Sequence, residues 1–221
     1  MEHKYGKRSV LSNIVWRLFE RGSSLIVTFA VNIVLARLLE PTDFGLAAMI
    51  TVFVTLSQIF VTGGPANALI QKKDADELDF SSMFWVNLGF SALLYAILFV
   101  IAPAISRFYG YAQLAPMLRV LGLNLIIAAL NAIQGAYISR NMLFRHYFYS
   151  TLSGKIGSGI VGIGMALAGF GVWALIGQSI SLLLFESLIL WFRVKWRPRR
   201  ILSWRRAKGM YSFAWKIMLM Y

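Results

Sequence analysis

The sequence has no cysteine, only two histidines and only nine acidic residues among its 221. Without cysteine it can form neither a disulfide nor a thiolate metal site, and His3 and His146 are too few for a metal cluster. It also lacks a Ser/His/Asp set, a cysteine nucleophile and a glycine-rich phosphate loop. We therefore expect no metal, no bound cofactor and no enzyme activity.

Apolar residues are abundant, at 58% of the chain, and the mean hydropathy is +0.66. One soluble core of this size cannot bury them all, so the surplus should face lipid. A helix needs about 20 apolar residues to cross a bilayer, and Gly169-Phe170-Gly171 predicts a tight turn inside the longest uncharged run. The sequence thus predicts an all-α polytopic membrane helix bundle of six spans, at about 12–37, 44–66, 80–105, 114–139, 150–169 and 172–193.

The predicted spans also suggest how the chain is organised. Residues 1–200 should form an N-terminal six-helix transmembrane lobe, and residues 201–221 a basic interfacial segment followed by the start of a seventh helix. Because the sequence becomes apolar again after this basic stretch, we expect the chain to be the N-terminal part of a longer protein.

Lysine and arginine dominate the charge, and the net charge is +13. In a soluble protein this excess would raise the possibility of nucleic-acid binding. Here most basic residues fall at 4–21, 72–73, 140–155 and 193–208, which are all on one side of the predicted bundle. Because basic residues are retained on the cytoplasmic side of short loops, we expect a cytoplasmic N-terminus and no nucleic-acid partner.

Polar residues form stripes on three predicted helices. Those of the first helix share an arc of roughly 120° on a helical wheel: Asn13, Arg17, Glu20, Arg21, Ser24, Thr28 and Asn32. Two further helices carry shorter stripes: Thr51, Thr55, Gln58 and Thr62, then Asn124, Asn131 and Gln134. Because such groups are costly in hydrocarbon, we expect them to line a hydrated cavity. The alternatives are snorkelling of the charged groups and hydrogen bonds between helices.

Two features belong to the last two predicted spans. Gly154, Ser158, Gly162 and Ala166 recur at every fourth residue, which predicts a ridge where two helix backbones pack closely. Glu186 is a carboxylate within an apolar helix and is therefore a candidate for coupling to a proton or sodium gradient. A structural partner for a basic residue of a neighbouring helix is the alternative role.

The segment KKDADELD, residues 72–79, contains the D-x-D spacing at Asp74 and Asp76. Many glycosyltransferases hold a divalent cation and a sugar diphosphate with this spacing. Acids are also favoured at a helix N-terminus by the helix dipole. We interpret the segment as the polar start of the third membrane helix.

Several stretches resemble the Wzx-type polysaccharide flippases of the multidrug/oligosaccharidyl-lipid/polysaccharide exporter superfamily. They are ARLLEPTDFG at 36–45, ALIQKKDADELDFSSMFWVNLGF at 68–90, LAPMLRVLGLN at 114–124, SRNMLFRHYFY at 139–149, GFGVWALIGQ at 169–178 and WRPRR at 196–200. The resemblance covers most of the chain and implies two six-helix lobes that alternate access to a central cavity in the bacterial cytoplasmic membrane.

The resemblance implies a function in lipopolysaccharide or exopolysaccharide biosynthesis. The expected cargo is an isoprenoid-diphosphate-linked oligosaccharide, and a polysaccharide polymerase and chain-length proteins are further candidate partners besides the lipid bilayer. Arginines of the first helix face the cavity in related flippases, and Arg17 and Arg21 correspond to them by location. The substrate-path candidates are Arg17, Glu20, Arg21, Ser24, Thr28, Asn32, Thr51, Gln58, Asn124 and Asn131.

Three other functions compete with this interpretation. A cation-coupled drug or metabolite exporter of the same superfamily should offer acids in its cavity. Glu20 and Glu186 are such acids and support this alternative. A membrane glycosyltransferase or polymerase would need an acidic catalytic site such as the one at 74–79. A noncatalytic scaffold has no positive feature in the sequence.

Overall fold

In the computed structural model, the described residues are 7–72, 74–201, 203, 204, 206 and 208–210, and the side chains of residues 7–14, 17 and 146 lie outside this description. The α-helices of the described residues are α1 (Lys7–Leu38), α2 (Pro41–Gln58), α3 (Gly64–Gln71), α4 (Glu77–Tyr109), α5 (Leu114–Leu121), α6 (Leu123–Arg140), α7 (Phe144–Leu167) and α8 (Val172–Arg193).

Two pairs of successive helices each form one continuous segment, and the helical geometry is irregular only where the two helices join. A π-helical turn, Ile59–Gly63, joins α2 to α3. Pro65 follows this turn and has no N–H to donate to the preceding turn, which accounts for the local widening of the helix. Gly122 joins α5 to α6 and leaves little room beside it, because a Cβ there would lie 3.0 Å from the ring of Tyr95 on α4.

The all-α polytopic helix bundle is confirmed, with one difference in the number of spans. Five stretches of the described residues are long and apolar enough to cross a membrane: Leu18–Leu38, Pro41–Gln71, Glu77–Tyr109, Leu114–Arg140 and Val172–Arg193. The predicted fifth span corresponds to α7, which is not among them. Its less apolar composition, with Arg145, His146 and Lys155, explains the difference. The lobe assignment of residues 1–200 stays a prediction, and most of 201–221 lies outside the described residues.

Short turns join the helices at one end of the bundle. The turn between α7 and α8 is the predicted Gly169-Phe170-Gly171, whose glycines have φ of 80° and 53°, a region that residues with a Cβ rarely adopt. The corner between α1 and α2 bends at Leu39 and Glu40, and Pro41 is the first residue of α2. Gly45 lies beyond the bend, inside α2. The two turns meet, because a Cβ on Gly171 would lie 3.2 Å from Asp43 Oδ1.

The predicted small-residue ridge packs α7 closely against α8. A Cβ added to Gly154 would lie 2.6 Å from Glu186 Cγ, and one added to Gly162 would lie 2.9 Å from Gln178 Cβ. On another face of α7, a Cβ at Gly159 would lie 2.6 Å from Val31 of α1. Glycines therefore allow α7 to lie tightly between α1 and α8, and these three helices form one side of the bundle.

The opposite end of the bundle, here called the basic end, holds the described residues of the ranges 71–79, 139–145 and 193–210. The segment after α8 folds over the start of α4: the backbone N–H groups of Arg199 and Ser203 donate to Ser81 Oγ and Ser82 Oγ, both at 3.0 Å. Arg140 at the end of α6 donates to the carbonyls of Leu69 and Lys72 at the end of α3. Four elements are thereby joined at this end.

Candidate functional site

A cavity of about 490 Å³ lies in the half of the bundle next to the basic end. It reaches from Ile70, Ser139 and Phe144, near helix termini, to Thr62 and Ala128 deeper in the bundle. Helices α1, α3, α6, α7 and α8 and the π-helical turn all contribute to its wall. Its polar and charged lining residues are Glu20, Arg21, Thr62, Asn131, Ser139, Tyr147, Ser150, Thr151 and Glu186.

The described part of the cavity lining contains two carboxylic acids and one guanidinium group, which come from two helices. Glu20 and Arg21 come from α1, and Glu186 comes from α8. The resemblance to flippases implied two cavity arginines, Arg17 and Arg21, but the described lining has two carboxylates and one guanidinium. Arg17, the other predicted cation of α1, has its side chain outside the described residues. The lining alone therefore does not carry the expected positive charge.

Lys155 of α7 is a basic side chain that the cavity lining does not include. Its Nζ donates to Thr28 Oγ1 at 3.0 Å and to the Ser24 carbonyl at 3.4 Å, so it joins α7 to α1. Because α7 begins at Phe144, Lys155 lies about 16 Å along the helix axis, at the rise of about 1.5 Å per residue.

The amides of α6 face two different environments. Asn131 lines the cavity and donates from Nδ2 to the Leu183 carbonyl at 3.3 Å, while its buried Oδ1 has no hydrogen-bond partner. Asn124 is buried two helical turns further from the basic end, where it donates to Ser179 Oγ at 2.8 Å. Gln134 is fully buried, and both polar atoms of its amide lack a hydrogen-bond partner. Of these predicted polar residues, Asn131 is the one that lines the cavity.

The cavity brings together five of the predicted polar residues: Glu20, Arg21, Thr62, Asn131 and Glu186. Ser24 and Thr28 lie beside it at the contact with Lys155, and Asn124 joins α6 to α8. Asn32 and Thr51 are exposed, and Thr51 donates to the carbonyl of Ala47 in its own helix. Gln58 is half-buried and does not line the cavity.

Several lining residues were not predicted from the sequence. Tyr147, Ser150 and Thr151 belong to the first turns of α7, but the predicted fifth span began only at residue 150 and none of the three was named as a candidate. Lys155 was counted among the basic residues of the cytoplasmic side, because the uncharged run begins only at Ile156. Ser139 lies two residues beyond the predicted polar stripe of α6. A helical wheel extended through residues 144–155 would have aligned Tyr147, Thr151 and Lys155 at steps of four.

The acidic segment at 74–79 is the polar start of α4, as predicted. Asp79 N donates to Asp76 Oδ1 at 2.9 Å and Asp76 N donates to Asp79 Oδ2 at 3.2 Å, which forms a capping box. Asp79 is buried and pairs with Lys72 Nζ at 2.5 Å. The hydrogen bond from Arg206, at 2.6 Å, lowers the pKa of Asp76, and the same bond raises the pKa of Arg206.

Asp76, the second acid of the D-x-D spacing, caps α4 and forms an ion pair with Arg206. Among the residues that the structure describes, no group of three or more histidine, aspartate or glutamate side chains could hold a metal ion. Asp74 is exposed, and Asp79 already has a cationic partner. The arrangement explains the acids of this segment without a bound sugar diphosphate.

Comparison with known proteins places similarity along nearly the whole chain. A family described as polysaccharide biosynthesis protein matches residues 34–221. The chain is 25% identical over 212 residues to the succinoglycan biosynthesis transport protein ExoT of Rhizobium meliloti (strain 1021), which is 96% of this chain and 43% of that protein. It is 30% identical over 213 residues to the teichuronic acid biosynthesis protein TuaB of Bacillus subtilis (strain 168), again 43% of that protein and 93% of this chain.

A shorter similarity reaches the lipopolysaccharide biosynthesis protein WzxC of Escherichia coli (strain K12), at 28% identity over 94 residues, 42% of this chain and 19% of that protein. The chain spans less than half the length of each of these relatives. No solved structure matches it.

Proposed function

Because the chain belongs to the family of polysaccharide biosynthesis proteins, as its resemblance to the Wzx-type flippases predicts, we propose that it is part of a polysaccharide transporter. The full-length protein moves an isoprenoid-diphosphate-linked oligosaccharide across the bacterial cytoplasmic membrane by alternating access. It makes and breaks no covalent bond. Its further partners are a polysaccharide polymerase and chain-length proteins.

The observation that carries this proposal is a polar, charged cavity within a bundle of apolar helices. A chain that only filled a membrane would bury apolar side chains between its helices, yet charged groups of α1 and α8 meet around about 490 Å³ of space. Charged groups at such depth are costly unless they face water, protein or a polar cargo. A passage for a polar headgroup supplies that environment.

The lining offers the chemistry that each part of the cargo needs. Arg21 can bind diphosphate oxygens through paired N–H groups. Hydroxyl and amide groups of Thr62, Asn131, Ser150 and Thr151 can exchange hydrogen bonds with sugars. The isoprenoid tail stays in the bilayer, where exposed apolar side chains such as Phe29 and Val100 face lipid. Glu186 remains the candidate for coupling transport to a proton or sodium gradient.

The second candidate function is a cation-coupled drug or metabolite exporter of the same superfamily fold. The observation in its favour is the pair of carboxylates, Glu20 and Glu186, in the described lining of the cavity. A cationic compound would be attracted by these acids, and an anionic cargo would be attracted by Arg21. The two functions therefore predict opposite charge preferences for the same cavity.

The sidedness of the lipid-linked oligosaccharide separates these functions. Cells that lack the full-length protein should accumulate it on the cytoplasmic side, where a periplasmic ligase cannot reach it. Wild-type protein should restore its exposure to the ligase, and Arg21→Ala should restore it poorly. Arg37→Ala, outside the cavity, is the matched control and should restore it fully. Normal sidedness in the deficient cells would favour the drug or metabolite exporter.

The proposed orientation places the basic end in the cytoplasm, with the N-terminus. The absence of native cysteine allows single cysteines to report it. Thr42→Cys in the corner before α2 should react with an impermeant maleimide in intact cells, and Ser203→Cys should react only after the membrane is opened. The reverse labelling pattern would overturn the orientation.

A further inference from the structure

Two arginines at the basic end rest against one aromatic ring. Arg193, the last residue of α8, has its guanidinium carbon 4.8 Å from the centre of the Tyr149 ring, and the guanidinium carbon of Arg145, in the first turn of α7, lies 5.8 Å from the same centre. The ring of Trp16 on α1 lies 5.7 Å from the Arg145 guanidinium carbon and 6.2 Å from the Tyr149 ring. Three helices thus meet at these four residues, here called the arginine cluster.

The contacts within the arginine cluster leave the guanidinium groups without an oxygen acceptor. An aromatic ring attracts a cation through its quadrupole but offers no oxygen atom to the N–H groups. Among the residues whose side chains the structure describes, neither Arg145 nor Arg193 has an ion pair within 4 Å or a side-chain hydrogen bond. Both side chains are exposed. Two cations on one ring therefore present their N–H groups to an external anion.

The arginine cluster lies on the outer side of α7, away from the cavity. Consecutive residues of an α-helix are about 100° apart, so Tyr149 lies about 160° around the helix from Tyr147, which lines the cavity. Ile156 and Ile160 lie on the same face as Arg145 and Tyr149, all within about 60°. The two isoleucines are 46% and 69% exposed. An exposed apolar strip therefore continues along α7 from the arginines into the bundle's membrane-facing surface.

A pair of cations beside an apolar strip matches the chemistry of an anionic phospholipid. Phosphate oxygens bind guanidinium groups through paired N–H donors, and anionic headgroups attract basic residues at a membrane surface. Ile156 lies about 16 Å along the helix axis from Arg145, at the rise of about 1.5 Å per residue, which is within the reach of an acyl chain. A soluble anion would use the arginines but not the isoleucines. The observations therefore favour a lipid over a free phosphate.

We propose that the arginine cluster binds the headgroup phosphate of an anionic phospholipid, whose acyl chain lies along the outer face of α7. The site is separate from the cavity and does not depend on the identity of the cargo. Trp16 and Tyr149 are positioning residues, because they hold the two arginines where α1, α7 and α8 meet. A lipid held there joins the three helices that form one side of the bundle.

Native mass spectrometry of the purified full-length protein in detergent tests this site, with phosphatidylglycerol as the probe and phosphatidylcholine of the same acyl chains as the reference. Arg145→Gln with Arg193→Gln should weaken phosphatidylglycerol binding about tenfold and leave phosphatidylcholine binding unchanged. Lys195→Gln with Arg200→Gln is the matched control, because it removes two exposed charges from the same end, and it should bind like wild type. Equal losses for the two double variants would overturn the proposal, since the charge of the whole end would then hold the lipid.

Replacement of the Tyr149 ring separates an ordered site from two surface charges. Tyr149→Leu should weaken phosphatidylglycerol binding several-fold, because neither arginine is then held in place. Tyr149→Phe keeps the ring and should bind like wild type. Unchanged binding by Tyr149→Leu would contradict the positioning role. The arginine variant changes only exposed side chains, so it tests the site even if Tyr149→Leu does not fold.

Two further ligands identify the source of the phosphate. Excess glycerol phosphate should not displace phosphatidylglycerol, because it lacks the acyl chains that contact Ile156 and Ile160. A long-chain isoprenoid diphosphate should bind Arg145→Gln with Arg193→Gln within about twofold of wild type, because the cavity is unchanged. Displacement by glycerol phosphate, or loss of isoprenoid diphosphate binding together with phosphatidylglycerol binding, would overturn the proposal. Wild-type protein that binds phosphatidylglycerol but not the isoprenoid diphosphate would support this inference and contradict the proposed function.

Discussion

The basic end and the cavity both contain acidic and basic side chains, but they pair them differently. At the basic end, Asp79 contacts Lys72 at 2.5 Å, Asp76 contacts Arg206 at 2.6 Å, and Glu77 contacts Arg199 at 2.6 Å. Around the cavity, no ion pair within 4 Å joins any two of Glu20, Arg21, Lys155 and Glu186, all of whose side chains the structure describes.

This contrast separates charges that hold the fold from charges that remain accessible to a ligand. A directly paired carboxylate has its oxygens occupied, and its partner is held in one place. The cavity groups line the same cavity but form no ion pair within 4 Å. Mutations at the basic end should therefore affect stability and leave cargo binding intact. Mutations around the cavity should weaken cargo binding and leave stability intact, except where they disturb helix packing.

The largest effect is expected from Gly154→Leu, which disturbs the packing below the cavity. The new side chain would begin 2.6 Å from Glu186 Cγ, and α7 and α8 would have to separate. Overpacking of this kind costs about 3 kcal/mol in a well-packed region. We expect a large loss of Tm for the purified protein.

Gly164→Leu on the same helix is the matched control, because a Cβ there meets nothing within 4 Å. It should unfold close to the wild-type temperature. Equal losses for the two variants would show that the ridge around Gly154 is not a close contact.

A smaller loss is expected for Asp79→Asn at the basic end. The carboxylate is about 1% exposed, accepts from Lys72 Nζ, and also accepts from the backbone N–H of Asp76. Removal of its charge should cost about 2 kcal/mol in the free energy of unfolding, moderated because Lys72 can reach water. Asp74→Asn, exposed in the same segment, should change stability little.

Denaturant unfolding in detergent measures this difference, and isoprenoid diphosphate binding by the refolded protein tests the contrast between the two regions. We expect affinity within about twofold of wild type for Asp79→Asn. A loss of affinity with unchanged stability would assign Asp79 to the cargo path and break the distinction.

The sequence was sufficient for the helices and for part of the cavity. Long uncharged runs and the Gly-Phe-Gly turn predicted the helical segments, because length and turn chemistry are local properties. The wheel of α1 likewise predicted the polar face that includes Glu20 and Arg21. A helical wheel gives the direction of a side chain but not the neighbouring element. It could not show that Thr51 is exposed or that Asn124 of α6 is hydrogen-bonded to α8.

Lys155 illustrates the limit of reading charge as a helix boundary. A lysine at the edge of an uncharged run normally marks the membrane surface. In the structure α7 begins eleven residues before Lys155, and the Lys155 ammonium group donates to Thr28 Oγ1 of α1. That hydrogen bond joins residues 127 positions apart in the sequence, which no local pattern contains.

The smallest effect is expected from titration of Asp76 with Arg206 on the surface of the basic end. The bond from Arg206 lowers the pKa of Asp76 below its ordinary value of 3.8. The stabilisation is therefore fully present above pH 3.8 and is lost as the pH falls through the lowered pKa. Because both side chains are nearly half exposed, high salt should also weaken the bond.

Spin labels on single cysteines at Asp74 and Lys208 can follow this contact in the otherwise cysteine-free chain. We expect one short distance at neutral pH and low salt, and a broader, longer distribution in Asp76→Asn or in about 1 M salt. Arg200→Ala should keep the short distance. A distance that ignores salt and the Asp76 substitution would mean that other contacts hold the segment after α8.

The proposed cargo path runs through the cavity lined by α1, α3, α6, α7 and α8, and photocrosslinking can detect the cargo there. A photoreactive amino acid replaces Asn131 or Tyr147 in the cavity, or Asn32 or Thr51 on the exposed helix faces, in the full-length protein with radiolabelled lipid-linked oligosaccharide. We expect crosslinks to the oligosaccharide from the two cavity positions and none from the two exposed positions. Crosslinks from Thr51 or Asn32 without any from Asn131 and Tyr147 would contradict it.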